Sequence, residues 1–147
     1  MENYIITNKT IAILKNNLKT IIYDVDNIRI ISKNINKILE LNCNFYGNDI
    51  NFIKNQTKKI LNIKYKVPLI INNDIILIQI NNLRSNECLF LNHNKILDYR
   101  KIDKLIEINC INRNFYSKIS KNSLEKNLLN VMKLNNILKY KKIANFV

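Results

Sequence analysis

The chain has a single glycine, Gly47, and a single proline, Pro68, in 147 residues. Glycine takes φ > 0 without steric cost, so its near-absence restricts how this backbone can reverse direction. Segments rich in Asn and Asp read as turns, because these side chains hydrogen-bond their own backbone. The sequence offers such segments between β-branched runs: Asn8-Lys9, Asp24-Val25-Asp26-Asn27 and Asn72-Asn73-Asp74. Gly47 closes the segment Asn42-Cys43-Asn44-Phe45-Tyr46-Gly47, where a helix C-terminus or tight turn would require positive φ. Asn, Ile and Lys, whose codons are A/T-rich, dominate elsewhere, so a glycine retained against that drift points to a backbone need.

Around these turns the hydrophobic pattern predicts an α+β chain, with antiparallel strands, two central helices and a C-terminal helix. Residues 4–7 and 10–14 read as a hairpin about Asn8-Lys9, and 20–23 and 28–31 as a second strand pair. The period then changes to 3.6: Ile35, Ile38, Leu39, Phe45 and Tyr46 predict a helix, with Ser32 or Asn34 as N-cap and Gly47 as its stop. A second helix over 49–61 would bury Ile50, Ile53, Thr57, Ile60 and Leu61 and leave Lys54, Lys58 and Lys59 outside. Strands follow at 64–71, where Pro68 implies an edge position, and at 75–80, 88–91, 105–111 and 115–119, with a polar loop at 81–86. Asn122-Ser123-Leu124-Glu125 reads as a capping box opening a helix toward residue 140, with Leu124, Leu128, Val131 and Leu138 as its buried stripe.

With 47% hydrophobic residues the chain is rich enough in apolar side chains to bury a core, and one domain spanning 1–147 is expected. No apolar run approaches the roughly 18 residues of a membrane span, and no basic-then-apolar leader opens the sequence. Cytosolic residence is the expectation. Three widely spaced cysteines, Cys43, Cys88 and Cys110, imply buried reduced thiols rather than a disulfide framework.

The charge balance narrows the function. Lys and Arg number 24 against 11 Asp and Glu, a net charge of +13. That excess points to a polyanion, nucleic acid before a membrane surface. Codon drift explains Lys in place of Arg but not the shortage of acids. Catalysis finds little to work with: His93 is the one histidine, so a nucleophile–base pair would have to join it to Cys88. A zinc site could draw on Cys88, His93, Cys43 and Cys110, but no Cys-x-x-Cys pair anchors it. One glycine rules out a glycine-rich phosphate loop. Neither enzymatic activity, nor a metal, nor a cofactor is expected.

Several segments resemble a known family. Asn42-Cys43-Asn44-Phe45-Tyr46-Gly47 is similar to the Ser-Cys-Arg-Phe-Phe-Gly segment of ComK, the bacterial competence transcription factor, and the likeness continues through Lys54, Thr57, Ile63, Lys66 and Pro68. Cys88-Leu89-Phe90-Leu91-Asn92-His93 resembles Cys-Gly-Trp-Ile-Ser-His, and Ile119-Ser120-Lys121-Asn122-Ser123-Leu124-Glu125 resembles Ile-Ser-Tyr-Asn-Ser-Phe-Glu. Thr10-Ile11-Ala12-Ile13-Leu14 is similar to Thr-Ile-Ala-Val-Leu. The resemblance implies an activator of DNA-uptake genes, assembling as a homo-oligomer on A/T-rich double-stranded boxes, largely through the minor groove. It also implies nucleoid association and control by an adaptor that delivers family members to a Clp protease.

The candidate DNA-binding residues are Lys54, Lys58, Lys59, Lys64 and Lys66 for phosphates, with Arg84 and Asn86 nearer the bases. Lys54 and Lys66 stand at matched family positions; the others rest on charge and loop placement. The alternative is an RNA-binding or ribosome-associated protein stacking bases on Tyr23, Tyr46, Tyr65, Phe90, Tyr99 and Phe115. A third reading, a small hydrolase or transferase, would centre on Cys88 and His93.

Overall fold

The computed structural model describes residues 3–81 and 87–144, with side chains through residue 138. Nine strands and three helices follow in the order β1 (Thr10–Asn16), β2 (Lys19–Asp24), β3 (Ile28–Ile31), α1 (Ile35–Phe45), α2 (Ile50–Leu61), β4 (Leu69–Asn72), β5 (Ile75–Gln79), β6 (Glu87–Asn92), β7 (Ile96–Ile102), β8 (Leu105–Cys110), β9 (Arg113–Ser117) and α3 (Lys121–Ala144). A 3₁₀ turn, His93–Lys95, joins β6 to β7. The strands form a six-stranded sheet in the order β3-β2-β1-β6-β5-β4 and a three-stranded sheet in the order β7-β8-β9. Every pairing is antiparallel. The α+β class, the two central helices and the C-terminal helix are all present.

Both faces of the larger sheet are covered over β1, β6, β5 and β4, which is why those strands read as continuous Ile and Leu runs, whereas Ile28 and Ile30 of β3 are exposed. Alternate side chains point to opposite faces of a strand. Leu69, Ile71, Ile75, Leu77, Cys88 and Phe90 pack with Ile35, Ile38, Leu39 and Cys43 of α1 on one face. Ile70, Ile76, Ile78, Leu89 and Leu91 face the other way, against Ile106, Ile108 and Cys110 of β8 and Leu124, Val131 and Leu134 of α3. The helix α2 touches α1, α3 and β4, and so lies along the edge where β4 would otherwise present unpaired backbone.

Local chemistry sets the ends of α1, as the sequence implied, and the start of α2. Asn34 caps α1, its Oδ1 accepting from the Asn36 amide at 2.7 Å, and Asp49 caps α2 by accepting from the Phe52 amide at 2.9 Å. Gly47, at φ +82, carries the left-handed residue that ends α1. The Asn48 amide bonds Cys43 O at 2.8 Å and the Gly47 amide bonds Asn44 O at 2.9 Å, the two bonds of a Schellman motif. Nothing lies within 4 Å of a Cβ built there, so the glycine answers to backbone conformation and not to crowding. At the other left-handed positions stand Asn17, Asn62, Asp103, Asn112 and Lys66.

Five expectations are corrected. Residues 4–7 form no strand, because β1 already has β2 on one side and β6 on the other and offers no edge. Instead the buried Asn42 side chain takes their backbone bonds: its Oδ1 accepts from the Ile6 amide at 2.7 Å, and its Nδ2 donates to Tyr4 O and Ile38 O, both at 2.9 Å. The hairpin partner of β1 is β2, turning at Asn17-Leu18. The strand expected at 64–71 begins only at Leu69, since Lys66 sits at φ +50 and breaks the extended run; β4 is an edge strand, as Pro68 implied. Strand β7 was not anticipated. Lastly, α3 opens two residues early: Ser120 Oγ, not Asn122, accepts from the amide at the third helical position, Ser123, at 3.1 Å. Ile60 of α2 is exposed, and Thr57 is that helix's one buried residue.

Asn42, fully buried, bridges the N-terminal segment and α1. The variant Asn42→Ala should lose roughly 2–4 kcal/mol of stability, because it strands buried backbone groups. Urea unfolding measures the loss, and amide exchange at Ile6 should accelerate ahead of exchange in β1.

Candidate nucleic-acid interface

Antiparallel pairing decides which loops share an end of the larger sheet. Asn16 pairs with Lys19 and with Glu87, Thr20 with Ile31, and Leu69 with Leu77. One end therefore collects the β1–β2 turn, the passage from β3 into α1, the segment leading into β4, and the strand ends on either side of residues 82–86. At the opposite end lie the turns at Asp24–Asn27 and Asn72–Asp74 and the His93–Lys95 turn. Helix α1 runs away from the first end and α2 returns toward it. α3 starts beside it, where Asn127 Nδ2 donates to Gln79 O at 3.4 Å.

The two ends differ in charge. The first carries Lys15, Lys19, Lys33, Lys58, Lys59, Lys64, Lys66 and Lys126, and among the described residues its acids are Glu87 and Glu125. Glu125 is engaged by the Tyr99 hydroxyl of β7. The far end holds Asp24, Asp26 and Asp74 together with Lys9, Arg29 and Lys95, so its charges are close to balanced. Asp24 pairs with Arg29, Asp26 with Lys9, Glu40 with Lys37, and Glu107 with Arg100 at 2.9 Å. The Tyr116 hydroxyl and the Arg100 guanidinium hold the Glu107 carboxyl below its ordinary range.

A groove of 510 Å³ opens at the basic end, between residues 62–66 and the first turns of α3. Lys64, Lys66 and Lys126 line it with Asn62, Asn127, Asn130, Ser123 and Tyr65, and no carboxylate is among them. Such a lining offers the lysine ammonium groups and the exposed Asn62 amide to an anionic strand and places no like charge against it, while Asn127 and Asn130 are buried. Asn62, at φ +54, ends α2, and its amide bonds Lys58 O. That left-handed cap directs the chain across to α3.

Of the residues chosen from sequence, Lys64 and Lys66 share this groove. Lys58 and Lys59 occupy the last turn of α2 beside it, where they also complement the helix dipole. Lys54 stands apart: it is close enough to Cys43 to pull that thiol's pKa down against burial, which places it toward α1. Arg84 and Asn86 lie outside the described residues; the neighbouring Glu87 pairs with Asn16 at the basic end. Lys126, Asn127 and Asn130 escaped the sequence reading. Their spacing with Ser123, at i, i+3, i+4 and i+7, marks one polar helical face and could have revealed them.

The stacking surface imagined for RNA is mostly consumed by the fold. Phe90 is buried, and Tyr23 and Phe115 meet edge to face at 5.2 Å. Tyr46 donates its hydroxyl to Ile6 O at 2.5 Å, and Tyr99 packs against the core. Of the six aromatics, Tyr65 alone is broadly exposed.

The sequence model of the family described as ComK protein matches residues 1–142. Neither a curated protein nor a solved structure gave a match.

That span includes the three cysteines and the histidine on which an enzymatic reading would rest. Cys88 and His93 stand at opposite ends of β6, about 16 Å apart at the rise of an extended strand, too far for a nucleophile–base pair. Cys43 and Cys88 belong to one face of the sheet and Cys110 to the other, so these thiols do not converge on an ion. Among the described residues no group of three His, Cys, Asp or Glu is placed to hold a metal. Burial pushes Cys43 and Cys88 up to about 11 and Cys110 to about 12 from an ordinary 9.0. A thiol whose native pKa is raised favours the folded state fully below pH 9 and loses that effect as pH climbs through 11 to 12. The urea midpoint should therefore fall between pH 8.5 and pH 11, and less steeply in Cys110→Ala than in the parent. At pH 8 all three thiols should resist iodoacetamide until the protein unfolds.

Proposed function

The chain belongs to the ComK family, and on that premise we propose that it is a competence transcription factor that holds A/T-rich duplex DNA against the basic end of its larger sheet. The observation that carries the reading is the carboxylate-free groove of Lys64, Lys66 and Lys126, set at an end where lysines far outnumber acids. A narrow A/T minor groove concentrates negative potential and attracts such cations. Its floor presents acceptors that Lys, Arg and Asn meet as donors.

In this reading Lys58, Lys59, Lys64 and Lys66 contact phosphates together with Lys126. Lys54 reaches the backbone only at the margin, and Arg84 and Asn86 approach the bases. The six strands span about 24 Å at their usual spacing, close to seven base-pair rises. The family premise extends the proposal to a single domain over 1–147 that activates DNA-uptake genes from the nucleoid, binds as a homo-oligomer, and is removed through a Clp protease adaptor. RNA binding is the weaker alternative, since Tyr65 is the one aromatic of the six left broadly free to stack.

A mobility shift on an A/T-box duplex against a G/C-rich control, across a salt series, tests the reading. About six neutralised phosphates give a slope of log affinity against log salt near −5. Lys64→Ala and Lys126→Ala should each flatten it by about 1. Lys66→Gly should weaken binding similarly while raising stability by roughly 0.5–1 kcal/mol, because glycine relieves the positive φ. Equal affinity for both duplexes, a salt-insensitive interaction, or displacement by single-stranded RNA at equal concentration would overturn it.

A further inference from the structure

The two most exposed large apolar side chains among the described residues are Leu18, at 89%, and Tyr65, at 84%. Both sit at the basic end of the sheet. Leu18 occupies the tip of the two-residue β1–β2 turn, beside Asn17 at φ +57. Turn tips are places for Gly, Asn, Asp or Ser; a leucine there buries nothing and does nothing for the fold. Its neighbours along the ribbon are Lys15, Asn16, Asn17 and Lys19, of which Asn16, Asn17 and Lys19 are exposed. An apolar point flanked by Asn and Lys matches the chemistry of a side chain pressed into an A/T minor groove, where amides meet base acceptors and the apolar group enters between base pairs.

We propose that the β1–β2 turn is a wedge, with Leu18 inserting at a base-pair step of the bound duplex while Asn17 and Lys19 contact the groove beside it. The proposal rests on the DNA-binding reading above and adds to it a residue and an action that charge alone does not supply. Two features make room for it. The ribbon is anchored just behind the tip, where Thr20 Oγ1 donates to Lys33 O at 2.8 Å, so the turn is presented on a fixed base. A recess of 610 Å³ runs from Leu18 to Ser32 and Asn34, space for a sugar–phosphate strand passing alongside. Strand β4, which the Lys64–Lys66 segment leads into, stands three strand spacings from β1, about 14 Å across the sheet. That separation is about four base-pair rises, so wedge and phosphate clamp address one continuous site.

The test uses the full chain and A/T-box duplexes carrying 2-aminopurine at successive positions, with binding followed separately by mobility shift. Insertion should raise 2-aminopurine fluorescence at one step at least threefold on binding, with little change at its neighbours. Leu18→Ala should abolish that rise, with affinity reduced about tenfold or less and the unfolding temperature unchanged; Leu18→Phe should keep the rise. Leu97→Ala, an equally apolar exposed change on β7, should alter neither signal. A bound duplex with flat fluorescence, or a rise that persists in Leu18→Ala, removes the wedge and leaves the DNA-binding reading standing. Absence of any shifted complex with the parent chain removes both.

Discussion

The pairing of β1 with β6 holds the molecule together, because it joins two hairpin systems that are otherwise separate in the chain. Residues Ala12–Asn16 lie against Glu87–Leu91, uniting β1-β2-β3 with β4-β5-β6 in one sheet. The antiparallel sense of that pairing brings four connections to the same end, and with them the lysines of four sequence regions. It also places both central strands between two apolar layers, so Ile13, Cys88 and Phe90 face α1 while Leu89 and Leu91 face α3 and β8. Fold and candidate site thus follow from one register. A one-residue slip would exchange the two faces of β6 and expose apolar side chains along its whole length.

What the sequence revealed was what local chemistry decides. Asn34, Gly47 and Asp49 were legible as helix ends because capping involves residues within one turn of each other. The fate of residues 4–7 was not, since it depends on both edges of β1 being occupied, and on Asn42 thirty-eight residues from Tyr4. Strand β7 hid for a different reason. A register shift between Ile96 and Asp98 breaks its period of two, so its half-buried residues, Ile96, Tyr99 and Ile102, fall three apart and resemble no strand template. Lys64 and Lys66 were found through charge density, which needs no tertiary knowledge. Lys126, Asn127 and Asn130 were missed because polar residues on a helix usually mean a wet face, and only the approach of residues 62–66 turns that face into one wall of a groove.

Net charge alone leaves a basic protein's partner open; what sharpens it here is polarity. Had the 24 cations been spread evenly, each would have met an acid or solvent with no continuous track between them. Instead Lys64, Lys66 and Lys126 line one groove that holds no carboxylate, while Asp24, Asp26, Glu40 and Glu107 pair with other cations. In the proposed reading, phosphate attraction over a Debye length of about 8 Å would act on neighbouring lysines together, and release of counterions would convert their number into affinity.

Asparagine plays two parts in this chain. With glycine nearly absent, Asn serves as turn former at both ends of the sheet. At the far end its side chains are spent on the backbone: Asn72 Oδ1 accepts from Asp74 and Ile75 amides, Asn92 Nδ2 donates to Thr10 O, and Asn94 Nδ2 donates to Asp74 O, as Asn34 and Asn127 also do at the basic end. At the basic end Asn62 ends α2 through its backbone alone, and Asn17 takes its left-handed conformation at an exposed tip. Asn in place of glycine at these left-handed positions therefore adds an amide at the end where, in the proposed reading, a ligand rich in acceptors would meet it. A turn of glycine would be easier to fold there, but it would offer that ligand no side-chain donor.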